Sequence, residues 1–233
     1  MGTGLEMLLR QFSHADSFAL FWFLFCWIAY GLFAERSGHS RRGLAALTDR
    51  YRLEWARQLL ARESRIMDPP LVNVLVTSAS FYANTTIYIM AGLMAILGTL
   101  DKVIKLAADL PFGESVGHDL TEAKILLLLF VFVFAYFKIS WSLRQYNLLA
   151  IMIGAAPPSV SPEAEREKFA RKIAAVNDSA GNEFNRGIRA YYFGVAALAW
   201  FIQPWLFVAS TTLVVIVMYR RNSAAKLIRV LSD

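Results

Sequence analysis

Four stretches of this 233-residue chain are apolar for long enough to cross a lipid bilayer. They cover about residues 17–34, 71–97, 123–143 and 191–218. A transmembrane helix needs about 20 predominantly apolar residues. The runs are continuous rather than alternating, as in "ILLLLFVFVFAYF" of the third block, so β-barrel strands are not indicated. Backbone amides in hydrocarbon must be paired within the segment, which makes each block a helix. The chain is 57% hydrophobic, above the roughly 45–50% of soluble domains. The expected fold is therefore an all-α integral membrane protein, one membrane domain over residues 1–233 with four transmembrane helices. The first block reads as a retained helix rather than a signal peptide. Asp16 stands directly before it and "AYGLFAE" after it is a poor cleavage site.

The loops set an orientation. Residues 35–70 hold eight Arg, residues 98–121 hold Lys102 and Lys105, and residues 145–190 hold six Lys or Arg. Lys and Arg are enriched in cytoplasmic loops, so loops 35–70 and 145–190 are expected in the cytoplasm and the amino terminus, with Arg10 alone, outside. The net charge of +6 follows from this pattern without a nucleic-acid partner. One feature conflicts. The tail carries Arg220, Arg221, Lys226 and Arg229, yet four spans would place it outside. Gln203-Pro204 interrupts the fourth block. A re-entrant hairpin there would bring the tail inside, but a single kinked span is the expectation, because proline is tolerated in transmembrane helices.

Both cytoplasmic loops read as helical. In "LAALTDRYRLEWARQLLARESRI", Leu44, Leu47, Tyr51, Trp55 and Leu59 recur at helical spacing with Arg between them. Such a helix either lies on the membrane surface or packs on the other loop. Asp68-Pro69-Pro70 ends it. In the second loop Ser161 reads as an N-cap and Pro162 as the first helical residue, giving a helix toward Ala175. A second helix is expected from Asp178, capped there or at Ser179, and running into the fourth span.

Polar residues inside the blocks are the candidates for function. Asn73, Thr77, Ser80 and Asn84 fall at spacings of four, three and four, one stripe of a helix that Thr85 and Thr86 widen. Either the stripe bonds neighbouring helices, or it lines a polar pathway or a site for a headgroup or ion. Lys138 lies in the third block and either snorkels to the headgroups or pairs with Glu183. Gln203 can satisfy the carbonyl near Trp200 that Pro204 releases. "VNDSAGNEFNRGIRAYYFGVAALAW" places Asn182, Glu183, Asn185, Arg186 and Arg189 at the inner end of the fourth span. Gly181, Gly187 and Gly194 there allow close helix approach. Asn182, Glu183 and Asn185 are expected to meet the stripe near Asn73 and Thr77 in an inner-mouth site.

Signals for familiar enzymes are missing. There is no Walker loop, no dinucleotide glycine pattern, no G-x-S-x-G and no H-E-x-x-H. His14, Asp16, Glu114, His118 and Asp119 lack the spacing of a metal motif. Cys26 stands alone, so no disulfide framework exists within one chain. No catalytic residue, metal site or cofactor is assigned.

The runs "NVLVTSASFYANTT" and "NRGIRAYYF", the latter with Gly187, Arg189, Tyr191, Tyr192 and Phe193, resemble a family of membrane proteins from bacteria and plants known as domain of unknown function 599. The resemblance covers the chain from first to fourth span. It implies an integral membrane protein and no activity, so it carries over no site residue. The expected function is an inner-membrane oligomer forming a channel or carrier for a small ion or solute, with the bilayer and a second copy as partners. Two other classes stay open. One is a scaffold or accessory subunit of a membrane complex. The other is a lipid-modifying enzyme of the inner leaflet, with Glu183 as acid or base and Arg186 and Arg189 on phosphate.

Overall fold

The apolar blocks and the basic segments between them become helices in a computed structural model that describes residues 13–38, 44–102, 104 and 117–222. Of the residues singled out above, Arg10, Lys105, Glu114, Lys226, Arg229 and the side chain of Leu44 lie outside that range. In chain order the helices are α1 (His14–Gly38), α2 (Leu44–Ala61), α3 (Asp68–Gly98), α4 (His118–Gly154), α5 (Glu163–Leu198) and α6 (Pro204–Asn222). No strand occurs among the described residues. Three segments are long and apolar enough to cross a membrane: His14–Ala34, Asp68–Gly98 and His118–Gly154. At 37 residues α4 is about 55 Å long, well beyond the ~30 Å of a hydrocarbon core.

Local sequence explains where the helices start. Asp68 opens α3 and is followed by two prolines, which cost nothing in a first turn whose N–H groups lack intrahelical partners. The Asp-Pro-Pro run was expected to end the preceding helix. That helix stops earlier, at Ala61, and the same proline chemistry serves as a start instead. The Asp68 side chain is fully buried and accepts a hydrogen bond from Trp55 Nε1 at 2.9 Å, with Arg62 at 3.3 Å. Helix α5 begins after Ser161-Pro162, where the Pro162 carbonyl accepts from the amides of Glu165 and Arg166.

The two helices expected in the second loop are one. Helix α5 runs unbroken through Asn177 and Asp178, so neither Asp178 nor Ser179 is a cap. Asn and Asp in a helix interior cost less than about 1 kcal/mol each, and tertiary contacts exceed that. Asn177 is buried, and Asp178 accepts a 2.6 Å bond from Arg52.

The chain forms two compact units. The first comprises the described parts of Met1–Gly31, Thr86–Ala135 and Arg189–Met218. Its core is aromatic. Phe23 meets Phe193 at 5.7 Å and Phe207 at 5.0 Å, and Trp27 meets Phe134 at 5.4 Å. Ring pairs in this range add about 0.5–1.5 kcal/mol beyond burial. Gly194 admits the Phe132 ring, whose Cζ lies 2.9 Å from where a Cβ would stand.

This unit overturns the expected single kinked span over residues 191–218. Helix α5 ends at Leu198, a 3-10 turn covers Ala199–Phe201, and α6 starts at Pro204. On α1, Phe23 meets Phe193 and Asp16 meets Trp200, so α5 runs antiparallel to α1. Phe18 meets Trp205 and Trp22 Nε1 donates to Thr212 Oγ1 at 3.0 Å, so α6 runs parallel to it. The block is a hairpin. Pro204 does release the carbonyl one turn back, but Gln203 is exposed and leaves it alone. Lys124 Nζ of α4, buried in the unit, donates to Trp200 O at 2.8 Å and lies 5.5 Å from the Trp200 ring. Trp200 Nε1 donates to buried Asp16 at 2.8 Å.

The second unit comprises Leu32–Thr85, Tyr136–Ile188 and the described part of Tyr219–Asp233. Here α2 packs on α5 rather than presenting its apolar side to a membrane surface. Ala56, Leu59 and Leu60 of α2 and Ala170 and Ile173 of α5 are buried. A Cβ at Gly181 would collide with the Arg52 guanidinium. At the open end Arg57 grips Glu167 with two bonds, 2.9 and 2.8 Å, while Arg171 adds a third at 2.9 Å.

Hydrogen bonds from Arg57 and Arg171 lower the Glu167 pKa from 4.5 to about 2. A depressed carboxylate stabilises the fold above its unfolded pKa and loses that contribution as pH falls through the folded one. The α2–α5 contact should therefore be constant above about pH 5 and weaken progressively toward pH 2. Hydrogen exchange of α2 amides across this range would show the loss, and Glu167→Gln should remove the acid-dependent step.

Candidate functional site

Helices α4 and α5 run antiparallel in the second unit, and their contact carries a charge cluster centred on Glu183. Ser142 Oγ donates to Ala180 O at 2.7 Å and fixes the register. One turn along, buried Glu183 faces Lys138, whose Nζ lies 3.0 Å from Oε2. Arg186 donates to Oε1 of the same carboxylate from one turn further on α5. Of the two readings of Lys138, the structure has the ion pair with Glu183. Each oxygen of this carboxylate lies beside a cation, although buried Oε2 makes no hydrogen bond of good geometry.

The α3 stripe lies elsewhere on its helix than the packed face. Val72, Ala79, Ala83 and Thr86 are buried, whereas Asn73, Thr77 and Asn84 are exposed and Ser80 is half-buried. At 100° per residue the two faces lie roughly a third of a turn apart. The flanking threonines are already satisfied. Thr85 Oγ1 donates to Phe81 O at 2.8 Å, and Thr86 shares a 2.5 Å hydrogen bond with the Tyr191 hydroxyl. On α5, Asn182 and Asn185 are exposed, Arg186 is half-buried, and half-buried Arg189 belongs to the other unit.

The expected inner-mouth site is thus distributed. Glu183 and Arg186 come together with Lys138. Among the described residues, Asn73, Thr77, Asn182 and Asn185 form no hydrogen bonds with one another. Asn73 instead lines a groove of about 640 Å³ with Asn147 of α4 and Arg65 of the α2–α3 connection. Sequence reading missed Arg65 and Asn147, and also the buried pair Asp16 and Lys124. A lysine inside the third apolar block was the available signal for Lys124. No local pattern marks Arg65 or Asn147, whose meeting depends on how α3 and α4 pair. On α4, His118 lies 3.3 Å from Asp101 and 3.6 Å from Asp119, all substantially exposed.

Removing one partner of a buried ion pair is costly because the other charge is left behind, about 3–5 kcal/mol when burial is complete. Glu183→Ala strands two cations and should cost about 3 kcal/mol. Lys138→Met leaves Glu183 paired with Arg186 and should cost about 1 kcal/mol. Unfolding of the detergent-solubilised variants would measure both, and equal losses would contradict a carboxylate shared by two cations.

A family model described as "Protein of unknown function, DUF599" matches residues 18–227. No curated protein and no solved structure matches the chain significantly.

Proposed function

The chain belongs to the DUF599 family, and from the polar surface of α3 we propose an oligomeric multi-pass protein of the inner membrane that conducts or carries a small ion or solute. The observation that carries this reading is the uncovered polar stripe of α3. Only 11% of the most apolar window of this helix is buried, against 39% for α4. Asn73, Thr77 and Asn84 are nevertheless exposed on it. An amide moved from water to alkane without a partner loses about 4–8 kcal/mol. Facing lipid is therefore the least favourable placement for the stripe. A second copy against α3, with water or a solute along the stripe, supplies the missing partners. Intramembrane polar groups commonly mark such pathways.

The hairpin of α5 and α6 supports an orientation with loops 35–70 and 145–190 in the cytoplasm. If α5 crosses outward and α6 returns, Arg220 and Arg221 fall on the side of the other basic segments, as the loop-charge rule favours. In a Cys26→Ala background, Ser64→Cys and Arg220→Cys should label from one side of sealed vesicles and His14→Cys from the other. Labelling of Arg220→Cys together with His14→Cys would reject this topology.

Purified chain in liposomes should raise the flux of at least one small cation, anion or neutral solute above protein-free controls. Thr77→Val combined with Asn84→Leu should lower that flux by about tenfold, equivalent to ~1.4 kcal/mol in the barrier. An intact oligomer that passes none of the tested species would overturn the proposal.

A further inference from the structure

The groove beside Asn73 is built unlike the rest of the surface. Its walls are Val72 and Val76 from the first turns of α3 and Ala150 and Ile153 from the last turns of α4. Three polar side chains enter it: Arg65, Asn73 and Asn147. Helix α3 leads away from its start and α4 runs toward its end, so Arg65 and Gly154 mark one end of the groove and Val76 and Asn147 the other. Arg65 gives Nη1 to Ala156 O at 2.9 Å and Nη2 to Pro157 O. Both acceptors are neutral carbonyls, and its buried Nε–H has no acceptor. Among the described residues Arg65 has no carboxylate within ion-pair distance. Arg52, Arg57, Arg62 and Arg186 all have one. The groove therefore keeps a positive charge at one end.

The rim shows what kind of surface surrounds it. Ile66 and Met67, next to Arg65, are 79% and 71% exposed, and Leu71, Leu148 and Ile151 are also exposed. Large apolar side chains gathered in this way mark a membrane or partner contact rather than a face toward water. No carboxylate lines the groove, so a headgroup ammonium would find no partner there. We propose that this groove binds one anionic phospholipid from the adjacent leaflet. The phosphate lies against Arg65, the glycerol ester carbonyls accept from the Asn73 and Asn147 side-chain amides, and an acyl chain follows Val72 and Val76. The volume is within the roughly 300–1,000 Å³ of small-molecule sites and suits a headgroup, glycerol and first methylenes, with the chains continuing into the bilayer. A phosphate on an arginine is a charge-assisted bond, about twice as strong as a neutral one. The inference requires only that α3 and α4 lie in a membrane, so a chain that conducts nothing leaves it standing.

The full chain, extracted in mild detergent from vesicles of equal phosphatidylglycerol and phosphatidylcholine, would be weighed intact by native mass spectrometry. The wild type should retain about one phosphatidylglycerol per chain, and Val76→Trp, which fills the groove, should cut that occupancy about tenfold. Asn73→Leu with Asn147→Leu removes the donors at exposed positions and leaves the Arg65 bonds intact. It should give a similar loss if Val76→Trp does not fold. Millimolar inorganic phosphate should not displace the lipid. Equal retention of phosphatidylcholine, unchanged occupancy in the folded variants, or displacement by phosphate alone would each overturn the assignment.

Discussion

A proline inside an apolar block frees a carbonyl that hydrocarbon cannot satisfy, and the first unit is arranged around that group. Lys124 supplies the donor, and its charge would in turn be costly without Asp16 and the Trp200 ring nearby. Asp16 is held by Trp200 and by Ser13. Each group is acceptable in an apolar setting only because the others are present. The turn between α5 and α6 is fixed as a result, and with it the parallel placement of α6 on α1. In the second unit α4 plays the corresponding part through Lys138 and Ser142. One apolar helix thus carries two lysines: Lys138 pairs with a carboxylate on α5, and Lys124 binds a carbonyl in the 3-10 turn that follows it.

Much of the architecture was legible because bilayer constraints are severe and local. Continuous apolar runs read directly as helices, and Ser161-Pro162 marks the start of α5 to within a residue. The failures share a different cause. The hairpin at Pro204 depends on Lys124, roughly eighty residues away, and proline alone does not distinguish a kink from a reversal. The continuity of α5 through Asn177 and Asp178 depends on Arg52 of α2, which outweighs local propensity. The site was legible in part. Glu183 paired with Lys138 follows from two isolated charges near the ends of neighbouring spans. Arg65 with Asn147 follows from no spacing, since their proximity is a property of helix pairing.

The polar surface of α3 and the charged cluster of α4 and α5 differ in how completely they are satisfied. Glu183 has a cation beside each oxygen, both of them from the chain itself, and so ties two helices together. Asn73, Thr77 and Asn84 have their side chains open. Open polar groups on an apolar helix are the part of the chain that its own contacts leave unexplained. The functional reading therefore rests on α3 rather than on the more conspicuous charges.

The pairing of α1 with the end of α5 and with α6 also has a temporal side. Asp16 and Trp200 are 184 positions apart, and Trp22 and Thr212 are 190 apart. At roughly 5–20 residues per second, synthesis of the intervening chain takes on the order of 10–40 s. For that interval α1 has only Ser13 to satisfy Asp16, and Trp22 lacks its distant partner. Helix α1 is thus completed long after it is made, and for that interval it depends on its own aromatic bulk rather than on the contacts that hold it in the finished protein.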